Sequence, residues 1–228
     1  MVKTHHKVPH FSKRKFRLVL KLFAEDLTAV QAAEITGLNR NTINLWFSRI
    51  RAKIYDMALH ETLHDATNVQ MDETFFECSR KFYKKFNQPT EEKAVLGIID
   101  SDNRVRIELI EKVNHACILP IIFDTCAKDA AIFTDGHTVY KCLSRLGYKH
   151  SFVSHLDDEF ARYENGICIT TNRIEGFWGC LKVRLVKFRG IRLEDYQIYL
   201  KESEWRYNHR QENIYKLLLK TFRANHKI

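Results

Sequence analysis

A chain of 228 residues with 45% hydrophobic residues is long enough to bury a sizeable core and too apolar for disorder. Its 37 lysines and arginines against 28 acidic residues leave +9 at pH 7, a charge that favours a polyanionic partner, nucleic acid ahead of an anionic membrane. No run approaches the roughly 18 apolar residues of a membrane span, and the basic N-terminal text MVKTHHKVPHFSKRKF lacks the apolar stretch of a secretory signal.

No membrane partner is therefore expected, and the location is cytoplasmic (nucleoid-associated) in a bacterium or nuclear in a eukaryote. The six cysteines form no C-x-x-C pair, so they read as reduced, mostly buried thiols rather than a zinc ribbon.

From Lys13 to about Met57 apolar residues recur at three- and four-residue steps, the pattern of helices burying one face. Within this stretch the layout is that of a helix-turn-helix. Thr28 is placed to cap a short helix packed through Ala32, Ala33 and Ile35, and Gly37 to make a tight turn. Asn39 or Asn41 caps a second helix that buries Ile43, Trp46, Phe47 and Ile50. Arg40, Asn41, Asn44, Arg49 and Arg51 are then expected outward, as on a helix that reads a major groove. A three-helix bundle with a solvated basic face gives the same pattern.

From Val69 the periodicity changes. VQMDETFF (residues 69–76), KAVLGIID (93–100) and RVRIELIE (104–111) read as strands, the last two joined through Ser-Asp-Asn as a hairpin. A helix over 116–124, a strand over 131–134 and a helix over 139–146 follow, and beyond Thr171 the text is helical almost to the end. The fold class is α/β, a mixed-sheet body preceded by a small all-helical domain.

Two acids stand out in the body. Asp72 lies in an apolar β run and Asp135 ends another, just before Gly136. A carboxylate in such a place needs a cation, a helix N-terminus or solvent. Each by itself is also an ordinary surface residue or helix cap. Two on neighbouring strands, with a third from a helix, would make an oxygen-ligand nest for Mg²⁺. The third element is TTNRIEGFWGCLK, residues 170–182. On a helix Asn172, Glu175 and Lys182 share one face, while Ile174, Phe177, Trp178 and Leu181 take the buried side. Arg184, Lys187, Arg189 and Arg192 add positive charge beyond it.

Together MDET, FTDG, TNRIEGFWGCLK and ESEWRYNHR, with KHSFVSH before the third, resemble DDE-type insertion-sequence transposases of the bacterial group related to eukaryotic Merlin elements. The resemblance runs from about Val69 to Arg210. It implies an RNase H-like catalytic core over residues 66–228, carrying the C-terminal helices, behind a helix-turn-helix domain over 1–60. It implies Asp72, Asp135 and Glu175 as ligands of two Mg²⁺ (or Mn²⁺) ions, with Asn172 a rival for the third place because the group varies there. It also implies cleavage and strand transfer at transposon terminal repeats, with DNA ends and target DNA as partners of a homo-oligomeric synaptic complex. Lys182, Arg184 and Lys187 would then face phosphates. Arg206, Asn208 and Arg210 would brace the third helix or touch DNA, unless they pair with Glu202 or Glu204. The cysteine-rich zinc ribbon of many relatives is absent. A non-catalytic regulator derived from a transposase and a metal nuclease that cuts without joining are the alternatives.

Overall fold

The computed structural model describes residues 12–77, 92–154, 161–164, 166–188 and 191–224. Cys78 and Arg189 lie outside the described residues. Contacts divide the chain into a body, His60–Asn208, and a head made of the residues up to Leu59 together with those from His209 onward.

The body holds strands β1 (Asn68–Glu77), β2 (Glu92–Asp100), β3 (Val105–Ile110), β4 (Ala131–Asp135) and β5 (Lys149–Val153) in one sheet of order β3-β2-β1-β4-β5. β1, β2 and β3 are antiparallel neighbours, whereas β4 runs parallel to β1 and β5 parallel to β4. This is the mixed sheet expected from the sequence. The β2–β3 hairpin forms where Ser-Asp-Asn predicts it. Its turn is locked by the buried Asp100 carboxylate, which accepts from Arg104 N at 2.8 Å and from His64 N at 2.8 Å.

Both faces of the sheet are covered, which is why β2 reads as a nearly continuous apolar run. Met71, Leu96 and Ile98 pack with Ile118 and Ile122 of α4 (His115–Thr125) and with Tyr140 and Leu143. Val95, Ile99 and Ile107 pack on the other side with Ile174, Phe177, Trp178 and Leu181 of α5 (Asn172–Val186), the apolar stripe predicted for that helix. The expected helix over 139–146 is instead two 3-10 turns, Thr138–Tyr140 and Leu143–Leu146. A parallel crossover as short as Gly136 to Tyr148 is taken up by tight turns, and Gly147, at φ 95°, ends the second. A second, two-stranded sheet, β6 (Ala161–Glu164) with β7 (Ile167–Thr170), precedes α5.

α6 (Tyr196–Asn208) buries Lys201, Glu202, Ser203 and Glu204. These polar groups are used on the edge of the sheet. Asn208 accepts from Val105 N at 2.8 Å and donates to Val105 O at 2.9 Å, and Glu204 accepts from Ile107 N at 2.9 Å. Side chains of α6 thereby satisfy outward backbone groups of β3 that would otherwise offer a pairing edge.

The head comprises α1 (Lys13–Ala24), α2 (Ala29–Thr36), α3 (Arg40–Ala58) and, from the other end of the chain, α7 (Ile214–Ala224). By contacts, residues 209–224 group with the head, whereas the sequence reading put them in the 66–228 domain. Their apolar face finds α1, with Phe222 edge-on to Phe16 at 5.7 Å. Thr28 and Gln31 form a reciprocal capping box, Gly37 turns at φ 66°, and Asn39 caps α3 by accepting from Asn41 N at 2.8 Å. Several placements differ from expectation, among them these. Ile35 is 57% exposed, because α2 packs through Ala32 alone as a fully buried residue. Trp46 is half-buried against Phe16. Arg51 is buried rather than outward, its guanidinium over the rings of Phe23 at 5.4 Å and Phe47 at 5.9 Å.

One glycine governs how closely α5 lies on the sheet. A Cβ at Gly97 would sit 2.5 Å from Trp178 and 2.7 Å from Ile174. Gly97→Ala is expected to destabilise the protein by about 1–3 kcal/mol through overpacking, measured by urea denaturation. An unchanged midpoint would mean that α5 does not press on β2.

Candidate active site

β1 and β4 pair at Asn68↔Ala131, Val69↔Ile132 and Gln70↔Phe133, and Asp72 and Asp135 each lie two residues beyond the last of these pairs. Asp135 ends β4 as expected, whereas Asp72 lies within β1, which runs on to Glu77 against β2. The two acids therefore stand where the parallel pairing stops and the strands diverge. The opposing residue to Asp72 on β2 is Gly97. The space left by that glycine admits the Trp178 ring, whose Nε1 donates to Asp72 Oδ2 at 3.0 Å.

Glu175 comes from the first turn of α5 and is half-buried, accepting from the Thr171 hydroxyl at 2.5 Å. What fixes that turn is Gln70, two residues before Asp72 and on the same face of β1. Its Oε1, on a buried side chain, accepts from Arg173 N at 2.9 Å and Ile174 N at 3.3 Å. Thr171, at the N-cap, makes no capping bond of its own, so a strand residue caps this helix. Arg173 adds a second tie, donating to Asp100 O at 2.7 Å. Sequence reasoning missed Gln70 because its role joins residues about a hundred positions apart. A glutamine inside an apolar β run was the available signal.

The electrostatics show that these acids share one field. Burial pushes Asp72 up to about 6, and the charges of Asp135 and Glu175 add to the rise, against the Trp178 hydrogen bond. Glu73, on the opposite face of β1, is pushed up to about 7 by burial, with Asp135 and Asp72 adding to it and the Tyr140 hydroxyl opposing. Glu73 was not foreseen. Asp135 Oδ1 accepts from His137 N at 3.0 Å. Among the described residues no three His, Cys, Asp or Glu side chains converge closely enough to hold an ion. The donor set is nonetheless all oxygen and mutually repulsive, which suits a hard divalent cation. Glu175 would have to exchange the Thr171 hydroxyl for it.

Asn172 is exposed, and its backbone N–H donates to Thr170 Oγ1 at 3.2 Å. Lys182 is exposed two turns beyond Glu175, and Lys187 is half-buried with its Nζ 4.9 Å from the Phe188 ring centre. Arg184 does not face outward as expected. It reaches the buried Glu202 at 2.6 Å and Ser203 Oγ at 2.5 Å, and so staples α5 to α6. Arg206 also pairs with Glu202, at 2.8 Å, the ion-pair alternative for that residue. Asn208 is engaged with β3, and Arg210 is exposed. In the head Arg40, Asn41 and Asn44 are exposed on α3, and Arg49 is half-buried with its guanidinium 5.7 Å from the Trp46 ring centre.

The raised Asp72 carries a stability consequence in metal-free protein. An unfolded aspartate titrates near ~4. Between that value and about 6 the folded state binds more protons, so stability falls as pH rises through this window. Asp72→Asn keeps an acceptor for Trp178 and removes the buried charge. At pH 8, with chelator present, it is expected to raise folding stability by on the order of 1–3 kcal/mol, a gain that vanishes near pH 4. Urea melts at both pH values check this, and a loss at pH 8 would contradict it.

Known proteins bear on this arrangement. The family model of the ISXO2-like transposase domain matches residues 62–208, nearly the same span as the structural body. An uncharacterized transposase-like protein of Haemophilus influenzae is 35% identical over 105 residues, which cover 46% of this chain and 81% of that protein. Among solved structures, the Mos1 transposase paired-end complex with left transposon end aligns at a TM-score of 0.39 and 14% identity, covering 100% of this chain and 82% of that one. The matched span takes in both strand acids, the helix above them and the polar helix α6 that closes the sheet edge, and on that match the chain belongs to the ISXO2-like transposase family.

Proposed function

We propose that this transposase acts on DNA directly, cutting the strands at transposon ends and joining the freed 3′ ends to target DNA, with Asp72, Asp135 and Glu175 as its divalent-metal ligands. The observation that supports this reading is that Asp135 and Glu175 both act electrostatically on Asp72, with Asp72 and Asp135 on the parallel neighbours β1 and β4 and Glu175 in the first turn of a helix capped from β1. Bound Mg²⁺ or Mn²⁺ ions, two in this reading, would supply a lowered pKa for the attacking water and charge neutralisation at the leaving 3′ oxygen. The chain's own residues do the rest. Gln70 and Trp178 hold Glu175 and Asp72 in place, and the repulsion among the acids makes the site favour cations. The electrostatic coupling of Glu175 to Asp72 supports Glu175 over the exposed Asn172 as the third ligand.

Lys182 and Lys187 contribute salt-dependent contacts to backbone phosphates in this reading, whereas Arg184 serves the α5–α6 contact. Arg40, Asn41 and Asn44, with Arg49 braced on Trp46, read the terminal repeats from α3. Two or more copies assemble with the paired ends, in a cytoplasmic or nuclear setting according to host. Among the described residues no helix is long and apolar enough to cross a membrane.

The test uses full-length protein, Mg²⁺ and a pre-nicked terminal-repeat duplex. Asp72→Asn and Asp135→Asn are expected to lower cleavage and joining by about 100-fold or more, the scale of losing an electrostatic stabiliser, while terminal-repeat binding stays near wild type. Glu175→Gln should follow them and Asn172→Ala should lose less. The reverse order would make the third ligand Asn172. Cleavage without joined product would leave a nuclease, and binding without cleavage would leave a regulator.

A further inference from the structure

We propose that His150 and Thr134 work together as positioning residues for Asp135, with the imidazole holding, through the Thr134 hydroxyl, the peptide that aims the Asp135 carboxylate. The inference rests on reading Asp135 as a metal ligand.

His150 lies on β5, where it pairs with Ile132 of β4, and Thr134 follows Ile132 on the same face of β4. That face is the one packed under α4, where Glu73 also lies, and opposite to Asp72 and Asp135. Thr134 is fully buried, and its hydroxyl donates to the Asp135 carbonyl oxygen at 2.6 Å and meets His150 Nε2 at 2.9 Å. A hydroxyl has one proton. With that proton committed to the carbonyl, Nε2 must be the donor to Oγ1, which fixes the imidazole as the Nε2–H tautomer. The ring lies beside those of Tyr140, at 6.4 Å, and Phe152, at 6.2 Å between centroids.

The need for such a brace follows from where Asp135 sits. It is the last residue of β4, where the chain leaves the sheet at Gly136. Its Oδ1 accepts from His137 N at 3.0 Å, a bond that spans the Asp135–Gly136 peptide and so ties the carboxylate to the orientation of that peptide. The carbonyl of that peptide is the group Thr134 holds. Outer hydrogen bonds of this kind set ligand orientation at metal sites, and losing one typically weakens metal affinity or activity by about 10–100-fold.

The experiment measures Mn²⁺ binding by electron paramagnetic resonance, and Mg²⁺-dependent cleavage of the pre-nicked duplex, on full-length protein. His150→Leu and the isosteric Thr134→Val are expected to weaken Mn²⁺ binding by about tenfold or more and to lower kcat with KM for DNA little changed. His150→Gln, whose amide nitrogen donates from the place of Nε2, and Thr134→Ser should recover most of both. Wild-type Mn²⁺ affinity in His150→Leu and Thr134→Val would overturn the proposal. So would losses matched by unfolding and not rescued by Gln or Ser. A wild-type protein that neither binds Mn²⁺ nor cleaves would overturn the metal reading of Asp135 first, and this inference with it.

Discussion

The Gln70 amide oxygen, buried in the middle of the sheet, takes the first free N–H groups of α5, and the geometry of the candidate site follows from that contact. Gln70 and Asp72 are two residues apart on one face of β1, so the strand that carries one acid also anchors the helix that carries another. Gly97 completes the arrangement from β2 by letting Trp178 lie flat enough to reach Asp72. Both contacts hold the same helix. A helix displaced by a side chain at position 97 would take its N-terminus away from Gln70, and the buried amide would lose its partners.

The same packing accounts for an electrostatic tension. Asp72 and Glu73, side by side on opposite faces of β1, are both raised by burial and by Asp135, and among the described residues no basic side chain figures among the groups that bring them down. Elsewhere the body pairs its buried charges with care: Glu202 with Arg184 and Arg206, Glu204 with Lys201, Lys201 also with Glu108. The contrast is informative. Among the described residues no ion pair involves Asp72 or Glu73, which is consistent with the cation site proposed above. Arg51, Arg184 and Lys201 are spent inside, but the buried Asp100, Glu202 and Glu204 leave the surface with them, so the net charge of +9 is left essentially to the surface.

Much of this was legible in the sequence where the signal is local. The hairpin at Ser-Asp-Asn, the strand before Asp135, the cap at Thr28 and the buried stripe of α5 each follow from a turn residue or a period. The stripe even predicts that Glu175 faces away from Ile174 and Phe177. What was not legible depends on distant partners. Arg51 and Arg184 look outward on a helical wheel, yet aromatic rings and a buried carboxylate on other elements draw them in. The last helix belongs with α1 because its apolar face finds Phe16, a choice invisible from its own text. Gln70 and His150 act across strands, and the β6–β7 pair precedes α5 in a stretch with too few residues per strand to show a period.

The central claim, that three separate segments line one divalent-metal site, is tested most directly by replacing Mg²⁺ with Fe²⁺ and mapping ascorbate-driven backbone cleavage of the full-length protein. Hydroxyl radicals released at a bound iron cut the chain next to its ligands. The account predicts three clustered cuts, around Asp72 in β1, around Asp135 at the end of β4, and near Glu175 in the first turn of α5, all suppressed by excess Mg²⁺. Cuts confined to one segment, or spread evenly over the surface acids, would contradict it.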